Sequence, residues 1–468
     1  MTDRAYDLVV YGATGFVGRQ TLGYVVKHND AAGLRFAIAG RNRNKLDAVM
    51  MGISDAVLPL DILVADSCDQ PSVDAMAACT RVLLNTAGPF SISGDSVVGA
   101  CARFGTHYVD ITGETAWVRG LIDRYHAQCA AQGTRIIPFC GFDSVPSDLA
   151  VWLAIRHARE AFGSSCGSVK AYFQAYGGFN GGTIATFIHI QEGGQADLMA
   201  DPFLLKQRAH SADEVEQNRD ITHVLFDAEV GTWVGPFPMS PVNTRVVRRS
   251  ADLSESYGEP YGRSFQYQEY LKYDLPLAYA KAIATSSALK GFSAIMKHAV
   301  GRHMLLPFFP PPGQGPSDRT MTKGWMRCEV IGRTDDGKRV SVLVQDNGDP
   351  GNRITTKCVC EAALSLVRAE DRLPGGSARG GVLTPAMGLG NVLVERLRGA
   401  GRLIEVRGQV IEPADRDEAR YLDREAQRPD LVGTLGRRNR NCIGSSMVTS
   451  SIYCSGWHKK SVQFGRQG

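Results

Sequence analysis

No run of about 18 uncharged apolar residues occurs in the 468-residue chain, so no membrane-spanning helix is expected. The start is equally unlike a signal peptide: Asp3 and Arg4 lead straight into a strand-like run. Concentrated charge is lacking too. The net charge is only +4 and the 52 basic residues are spread along the chain, which excludes the basic face that nucleic-acid binding needs. The 11 cysteines include no Cys-x-x-Cys pair and no zinc spacing, so no metal site is expected, and their odd number fits a reducing compartment. Cys358 and Cys360 flank Val359 in a strand-like run. Strand geometry would point both thiols to one face, as a two-thiol metal contact or as a pair of small buried hydrophobes. No Tyr-x-x-x-Lys pair exists either, which argues against the short-chain dehydrogenase mechanism.

Ordinary apolar and charged contents, 44% and 21%, are those of a folded protein, and the length suits two or three domains at about 100–200 residues each. Strand-like runs at Asp7–Tyr11, Arg35–Ala39, Leu60–Val64, Arg81–Asn85, His107–Asp110 and Arg135–Phe139 alternate with helix-compatible stretches. These runs are apolar throughout rather than every second residue. That is the signature of a parallel sheet covered on both faces, hence a Rossmann-type doubly wound α/β domain over residues 1–160.

Between the first strand and the first helix stands Gly12-Ala13-Thr14-Gly15-Phe16-Val17-Gly18. Glycines there permit a tight turn and let backbone N–H groups approach a pyrophosphate at a helix N-terminus. NAD-binding domains place an acidic residue at the end of the second strand for the ribose 2′-hydroxyl. This chain has Ala39-Gly40-Arg41-Asn42-Arg43 instead, and a guanidinium at Arg41 suits a 2′-phosphate. NADP(H) is therefore the expected cofactor, with Arg43 and Lys45 as further cations. Asp66 is placed either to accept from the adenine amine or to cap a helix. Asn85, Thr86 and Gly88 end the fourth strand, where open α/β sheets bind ligands.

The ordered string Tyr11–Gly18, Ala39-Gly-Arg41, Asn85-Thr-Ala-Gly-Pro-Phe90, Tyr108-Val-Asp-Ile-Thr-Gly-Glu114 and Gly141-Phe-Asp-Ser-Val-Pro-Ser-Asp148 resembles the saccharopine dehydrogenase-like oxidoreductases. Within them it is most similar to the mycobacterial trans-acting enoyl reductases. Gly181-Gly-Thr183, Asn243–Arg249, Pro312–Ser317 and Gly348-Asp-Pro-Gly351 extend the likeness over about residues 5–400. The resemblance implies NADPH-dependent reduction of a double bond in a polyketide- or lipid-type acyl intermediate, bound to a carrier and presented by a synthase. A saccharopine-type amino-acid dehydrogenase is the alternative chemistry, with Arg245, Arg248 and Arg249 as its carboxylate-binding candidates. A non-catalytic NADP-binding protein of lipid surfaces is the alternative from another class.

Residues 161–400 read as an α+β domain. Val169–Tyr176 is strand-like, a helix starts at Thr183, and Asp336-Gly337 joins two strands into a hairpin; Thr355–Cys360 reads as a further strand before a helix ending near Arg372. The stretch from Pro307 to Pro316 reads as a rigid exposed connection. Pro276–Phe309 is apolar but interrupted by Lys281, Lys290, Lys297, His298 and Arg302, the composition of an amphipathic helix that either docks on a membrane surface or packs on its own domain. The expected location is the cytoplasm, with the inner face of the plasma membrane as the peripheral site, and a homodimer is compatible. Residues 401–468 turn polar, with Arg437–Arg440 and a Ser/Thr/Cys-rich end, and read as a tail without chemistry.

Hydride transfer also needs a group to protonate or stabilise the developing charge. Tyr108 and Asp110 at the fifth strand, and Asp143 and Ser144 after the sixth, are the candidates. For Ser144 a helix cap is the alternative, as it is for Glu114 before the 115–131 helix, and His107 reads as structural.

Overall fold

The computed structural model describes residues 4–409, apart from 54–59, 179, 193–195, 263 and 312. Strands β1 (Tyr6–Tyr11), β2 (Phe36–Gly40), β3 (Leu60–Val64), β4 (Thr80–Asn85), β5 (His107–Asp110) and β6 (Arg135–Ile137) alternate with helices α1 (Phe16–Lys27), α2 (Arg43–Met51), α3 (Gln70–Ala78), α4 (Phe90–Phe104) and α5 (Thr115–Gln132). Helix α6 (Val145–Phe162) leads to β7 (Cys166–Tyr176), α7 (Gly181–Glu192), α8 (Ala196–Ala200), α9 (Ala212–Gln217), β8 (Leu225–Asp227), β9 (Thr232–Pro236), α10 (Ser240–Ser256) and β10 (Gln266–Lys272). After α11 (Ala278–Met296), α12 (Ala299–Leu305) and α13 (Asp318–Lys323) come β11 (Trp325–Thr334), β12 (Arg339–Asn347), α14 (Thr355–Arg368), β13 (Gly381–Val382), α15 (Pro385–Gly399) and β14 (Leu403–Gln409).

The first sheet has the order β13-β6-β5-β4-β1-β2-β3 and is parallel throughout. Its double cover is visible within β1. Leu8 and Val10 enter one core with Leu22 and Val359, while Val9 and Tyr11 enter another with Val73, Val98 and Leu121. Each such burial contributes roughly 1.5–3 kcal/mol, which is why no polar residue interrupts the run Leu8–Val10. Strand order reverses at β1, with β2 on one side and β4 on the other. Tyr11 stands opposite both Ala39 and Asn85, so the turns that follow these three strands meet at one crevice.

The second sheet, β14-β12-β11-β7-β10-β9-β8, pairs β7 with β10 in parallel and is otherwise antiparallel. The expected hairpin forms between β11 and β12. A single core runs from Leu8 and Leu22 through Ala154, Cys358 and Leu393 to Val330 and Val342, so helices α6, α14 and α15 are the filling between the sheets.

The chain crosses between the sheets more often than the boundaries at 160 and 400 imply. β13 joins the first sheet beside β6, whereas β14 joins the second beside β12. The tail reading therefore fails for Leu403–Gln409, and residues 410–468, with Arg437–Arg440, lie outside the described residues. Thr355–Cys360 is the second correction: it is the first half of helix α14, not a strand. The β-branched and cysteine residues Thr355, Thr356, Cys358, Val359 and Cys360 suggest a strand when read alone, whereas Lys357, Glu361, Ser365 and Arg368 recur at helical spacing over the whole element. In a helix, residues two apart point to different sides. Accordingly, Cys358 Sγ accepts from Arg402 Nη2 at 3.1 Å, while Cys360 Sγ donates to the Thr21 carbonyl at 3.8 Å.

Candidate functional site

The turn after β1 is held open toward the crevice. Gly12 N–H donates to the Ala39 carbonyl at 3.0 Å, and Thr86 Oγ1 donates to the Tyr11 and Gly12 carbonyls at 3.0 and 3.2 Å. Gly12 has φ +83°, and a Cβ there would lie 2.7 Å from the Ala87 nitrogen. A Cβ on Gly18 would stand 2.3 Å from the Gly12 carbonyl oxygen, so the first turn of α1 packs on the loop with no room for a side chain. Gly15 is the N-cap and brings no side-chain acceptor, and the first turn has no acidic residue. The N–H groups of Phe16, Val17 and Gly18 consequently have no acceptor among the described residues. An uncapped, glycine-lined helix N-terminus is a cradle for an anion such as a pyrophosphate.

Arg41 follows β2 at the same crevice. It is exposed and has no ion-pair partner among the described residues. Its neighbour Arg43 is engaged with Asp47 one helical turn on, at 3.1 Å, and Asn42 caps α2 by accepting from the Lys45 N–H at 3.0 Å. Asp66, after β3, accepts from the Cys68 N–H at 3.0 Å, and its own N–H donates to Ser72 Oγ at 3.0 Å. It thus forms the turn into α3, whose N-cap is Asp69, rather than capping that helix.

The fourth and fifth strand ends are tied by a buried chain. Asn85 Nδ2 donates to Tyr108 Oη at 3.1 Å, and Tyr108 Oη donates to Asp110 Oδ2 at 2.9 Å. Asp110 Oδ1 accepts from the Thr112 and Phe139 N–H groups, which brings the loop after β6 into the same network. Burial pushes the Asp110 carboxyl up to about 7, against the hydrogen bonds that favour its charged form. Tyr108 and Asp110 are fully buried, so they position the strand ends rather than face the crevice. His107 is structural, accepting the Arg135 N–H at 3.0 Å.

Two sequence expectations of helix capping are redirected. Glu114 precedes α5 but does not cap it; its carboxylate accepts from the Phe90 N–H at 2.7 Å and the Ser91 N–H at 3.0 Å, and so caps α4. Ser144 precedes α6 without capping it and instead donates to Asn243 Oδ1 at 3.3 Å. Asn243 in turn donates to Glu269 Oε2, and Ser147 and Tyr267 hydroxyls donate to Glu269 Oε1. Sequence reasoning missed Glu269 in this role. The signal was present: Tyr267 and Glu269 share the inward phase of β10, and a carboxylate there requires donors. Burial raises the Glu269 carboxyl to about 7.

Asp143 differs from the other candidates. The residue keeps a minor part of its surface exposed, and burial of the carboxyl raises it to about 6. It has no hydrogen-bond partner among the described residues.

Arg245, Arg248 and Arg249 are all buried and all engaged. Arg245 pairs with Asp220 at 2.6 Å, Arg248 donates to the Pro202 and Tyr267 carbonyls, and Arg249 pairs with Asp252 at 2.9 Å. They brace α10 and offer no cluster for a substrate's carboxylates. The segment leading to Pro316 is likewise more than an exposed connection. Arg19 donates to the Thr14 carbonyl at 2.7 Å and to the Gly313 carbonyl at 3.0 Å, and the Phe16 ring lies against Gly315. The Gly181 N–H donates to the Gln314 carbonyl at 3.0 Å, so Gly313–Pro316 straps the start of α7 to the glycine turn. Pro312 lies outside the described residues.

Comparison with known proteins now bears on this geometry. Residues 8–137 match the family of the saccharopine dehydrogenase NADP binding domain. A Mycobacterium tuberculosis protein provisionally named a trans-acting enoyl reductase is 35% identical over 414 residues, covering 86% of this chain and 97% of its own. Trans-acting enoyl reductases of Mycobacterium bovis and Mycobacterium ulcerans are each 33% identical, over 416 and 425 residues, covering 85% and 86% of this chain and 97% of theirs. The chain belongs to the trans-acting enoyl reductase family. Among solved structures, saccharopine dehydrogenase (L-Glu forming) of Saccharomyces cerevisiae aligns over 86% of this chain and all of its own, with 13% identity and a TM-score of 0.46.

The family assignment makes the protein an oxidoreductase with an NADP-binding domain. The cradle fits that cofactor on its own terms: an uncapped helix N-terminus for the pyrophosphate, glycines where side chains would collide with backbone, and a cation with no competing partner at Arg41.

Proposed function

We propose that this protein reduces the double bond of an α,β-unsaturated acyl thioester with NADPH, acting in trans on a carrier-bound, polyketide-type chain presented by a separate synthase. The observation that carries the reading is the uncapped turn Gly12–Gly18, with Arg41 just beyond the end of the neighbouring strand β2. There the N–H groups of Phe16, Val17 and Gly18 would hold the pyrophosphate and Arg41 the 2′-phosphate, and Asp66, Asn85, Thr86 and Gly88 would border the rest of the dinucleotide. When bound, NADPH supplies the hydride that goes to the β-carbon of the enoyl group.

The chain's own task is then to place the thioester and to deliver a proton to the α-carbon. Asp143 is the candidate for holding that proton. Its carboxyl is raised to about 6 by burial and is uncommitted, whereas Tyr108, Asp110 and Ser144 spend their polar atoms on one another, on backbone or on Asn243. The reaction balances as one hydride and one proton added across the carbon–carbon double bond, with oxidation of the cofactor.

We place the protein in the cytoplasm, where a reducing pool keeps thiols such as the buried Cys140, Cys358 and Cys360 free. The test is NADPH oxidation with enoyl thioesters of graded chain length, as coenzyme A and carrier-protein conjugates. Turnover that rises with chain length and on the carrier supports the reading. Oxidation of saccharopine instead, or NADP bound tightly without any turnover, refutes it.

A further inference from the structure

The segment between β10 and α13 is expected from sequence to form one amphipathic helix. It forms α11, a break at Lys297 and His298, then α12 and a tight turn, Leu306–Phe308. Its inner side is anchored. Ala278, Ala282 and Met296 are buried, the Phe292 ring lies near those of Phe187 and Phe309, and Arg302 pairs with Glu192 of α7 at 3.1 Å.

The outer side is left open. Leu277 is 70% exposed, Val300 74%, Met304 67% and Phe308 83%, with Leu275, Tyr279, Ile283, Ile295 and Leu306 also exposed. Side chains of this size are normally inside, and so dense a group of exposed ones marks a contact surface. Its charge has one sign. No Asp or Glu occurs from Leu275 to Ser317, while Lys281, Lys290 and Lys297 are exposed without ion-pair partners among the described residues. Tyr279, Ile283, Lys290 and Lys297 recur at spacings of four, seven and seven, which puts apolar and cationic residues on one stripe.

Such interleaving separates two kinds of partner. Protein interfaces deplete lysine from their centres. At a bilayer surface the same lysine lays its stem along the apolar residues and keeps its ammonium at the headgroups. We propose that α11, α12 and the Leu306–Phe308 turn seat on an anionic lipid bilayer, the apolar side chains entering the headgroup boundary and the three lysines meeting lipid phosphates. The Gly313–Pro316 strap follows directly and touches Phe16 and Arg19, so a seated protein holds its glycine turn close to that bilayer. The proposal is independent of the reductase reading, because it is tested without substrate.

The experiment is flotation of the full chain with phosphatidylcholine vesicles, with and without phosphatidylglycerol, at low and high salt. Co-flotation with anionic vesicles only, weakened by salt, is expected. The pairs Val300→Asp/Phe308→Asp and Lys290→Glu/Lys297→Glu should each lower partitioning about tenfold or more, with NADPH affinity and circular dichroism unchanged. Absence of binding to anionic vesicles, equal binding to neutral ones, or variants that float like the parent overturns it. So does sedimentation showing a dimer that Phe308→Asp dissociates without any vesicle binding, which would assign the face to a second copy.

Discussion

Replacing Arg41 with alanine tests the cofactor assignment at the one place where NADPH and NADH differ. The guanidinium is exposed, has no ion pair to lose, and stands beyond the last residue of β2, so its removal leaves strand pairing and α2 intact. A charge-assisted hydrogen bond to a phosphate contributes about 1.5–3 kcal/mol, which converts to roughly a 10- to 150-fold rise in the Kd for NADPH. NADH has no 2′-phosphate and should change less than about twofold, within ordinary surface-mutation effects. Titration of both cofactors by nicotinamide fluorescence reads the ratio directly, and the loss should shrink at high salt because the pair is at the surface. Arg43→Ala is the internal comparison. Its guanidinium already bonds Asp47, so it should shift the ratio much less. Parallel losses for NADPH and NADH in Arg41→Ala, or no loss for either, would refute the reasoning.

Gly18→Ala places a Cβ 2.3 Å from a backbone oxygen and must push the turn open, so affinity for both cofactors should fall about tenfold or more with little change in circular dichroism. Asp143→Asn should lower kcat by about 100-fold or more at unchanged NADPH affinity. It should also remove a fall in rate above pH 6, because the group must be protonated to act and is raised to about 6. Glu269→Gln addresses stability. A carboxyl raised from 4.5 to about 7 on folding contributes fully below about pH 4.5 and loses that contribution as pH rises through 7. The parent should therefore become less resistant to urea from pH 5 to 8, by up to roughly 3 kcal/mol from this residue, and the variant should show a flatter profile. Asp110 and Asp148, also raised to about 7 by burial, act in the same direction, so a parent that gains stability over that range would contradict the burial argument. Glu114→Ala leaves two N–H groups of α4 uncapped and should cost about 1–3 kcal/mol in the same titration.

What could be read from the residues alone follows the range over which each feature is decided. The doubly wound sheet was legible because its first six strands are short, largely apolar runs bounded by helical pattern, whereas the two-residue β13 carries no such signal; the glycine turn was legible because three glycines stand where one strand ends and one helix begins. Both are local facts. The β11/β12 hairpin was legible for the same reason, through Asp336-Gly337. Strands β8, β9 and β10 were not: Gln266–Lys272 mixes glutamines, a glutamate and a lysine with tyrosines, and only pairing with β7 and β9 makes it a strand. Helix α14 was misread because its first six residues are strand-like in type, while the helical stripe Lys357, Glu361, Ser365 and Arg368 shows only over its full length.

The same distinction explains the site. Residues at Arg41 and Gly12–Gly18 act where they stand, on a ligand, and their residue types announce it. The carboxylates are different, because each is defined by a donor far away in sequence. Glu114 caps a helix that begins 24 residues earlier, Glu269 collects hydroxyls and an amide from α6, α10 and its own strand, and Asp148 accepts the Ala386 N–H at the start of α15. With Asp110, which accepts from Tyr108 and the Thr112 and Phe139 N–H groups, four acids thus bind the framework together and one, Asp143, does not. That residue earns its place as a catalytic candidate by lacking a structural use, and such a lack can be established only once the partners of all the others are known.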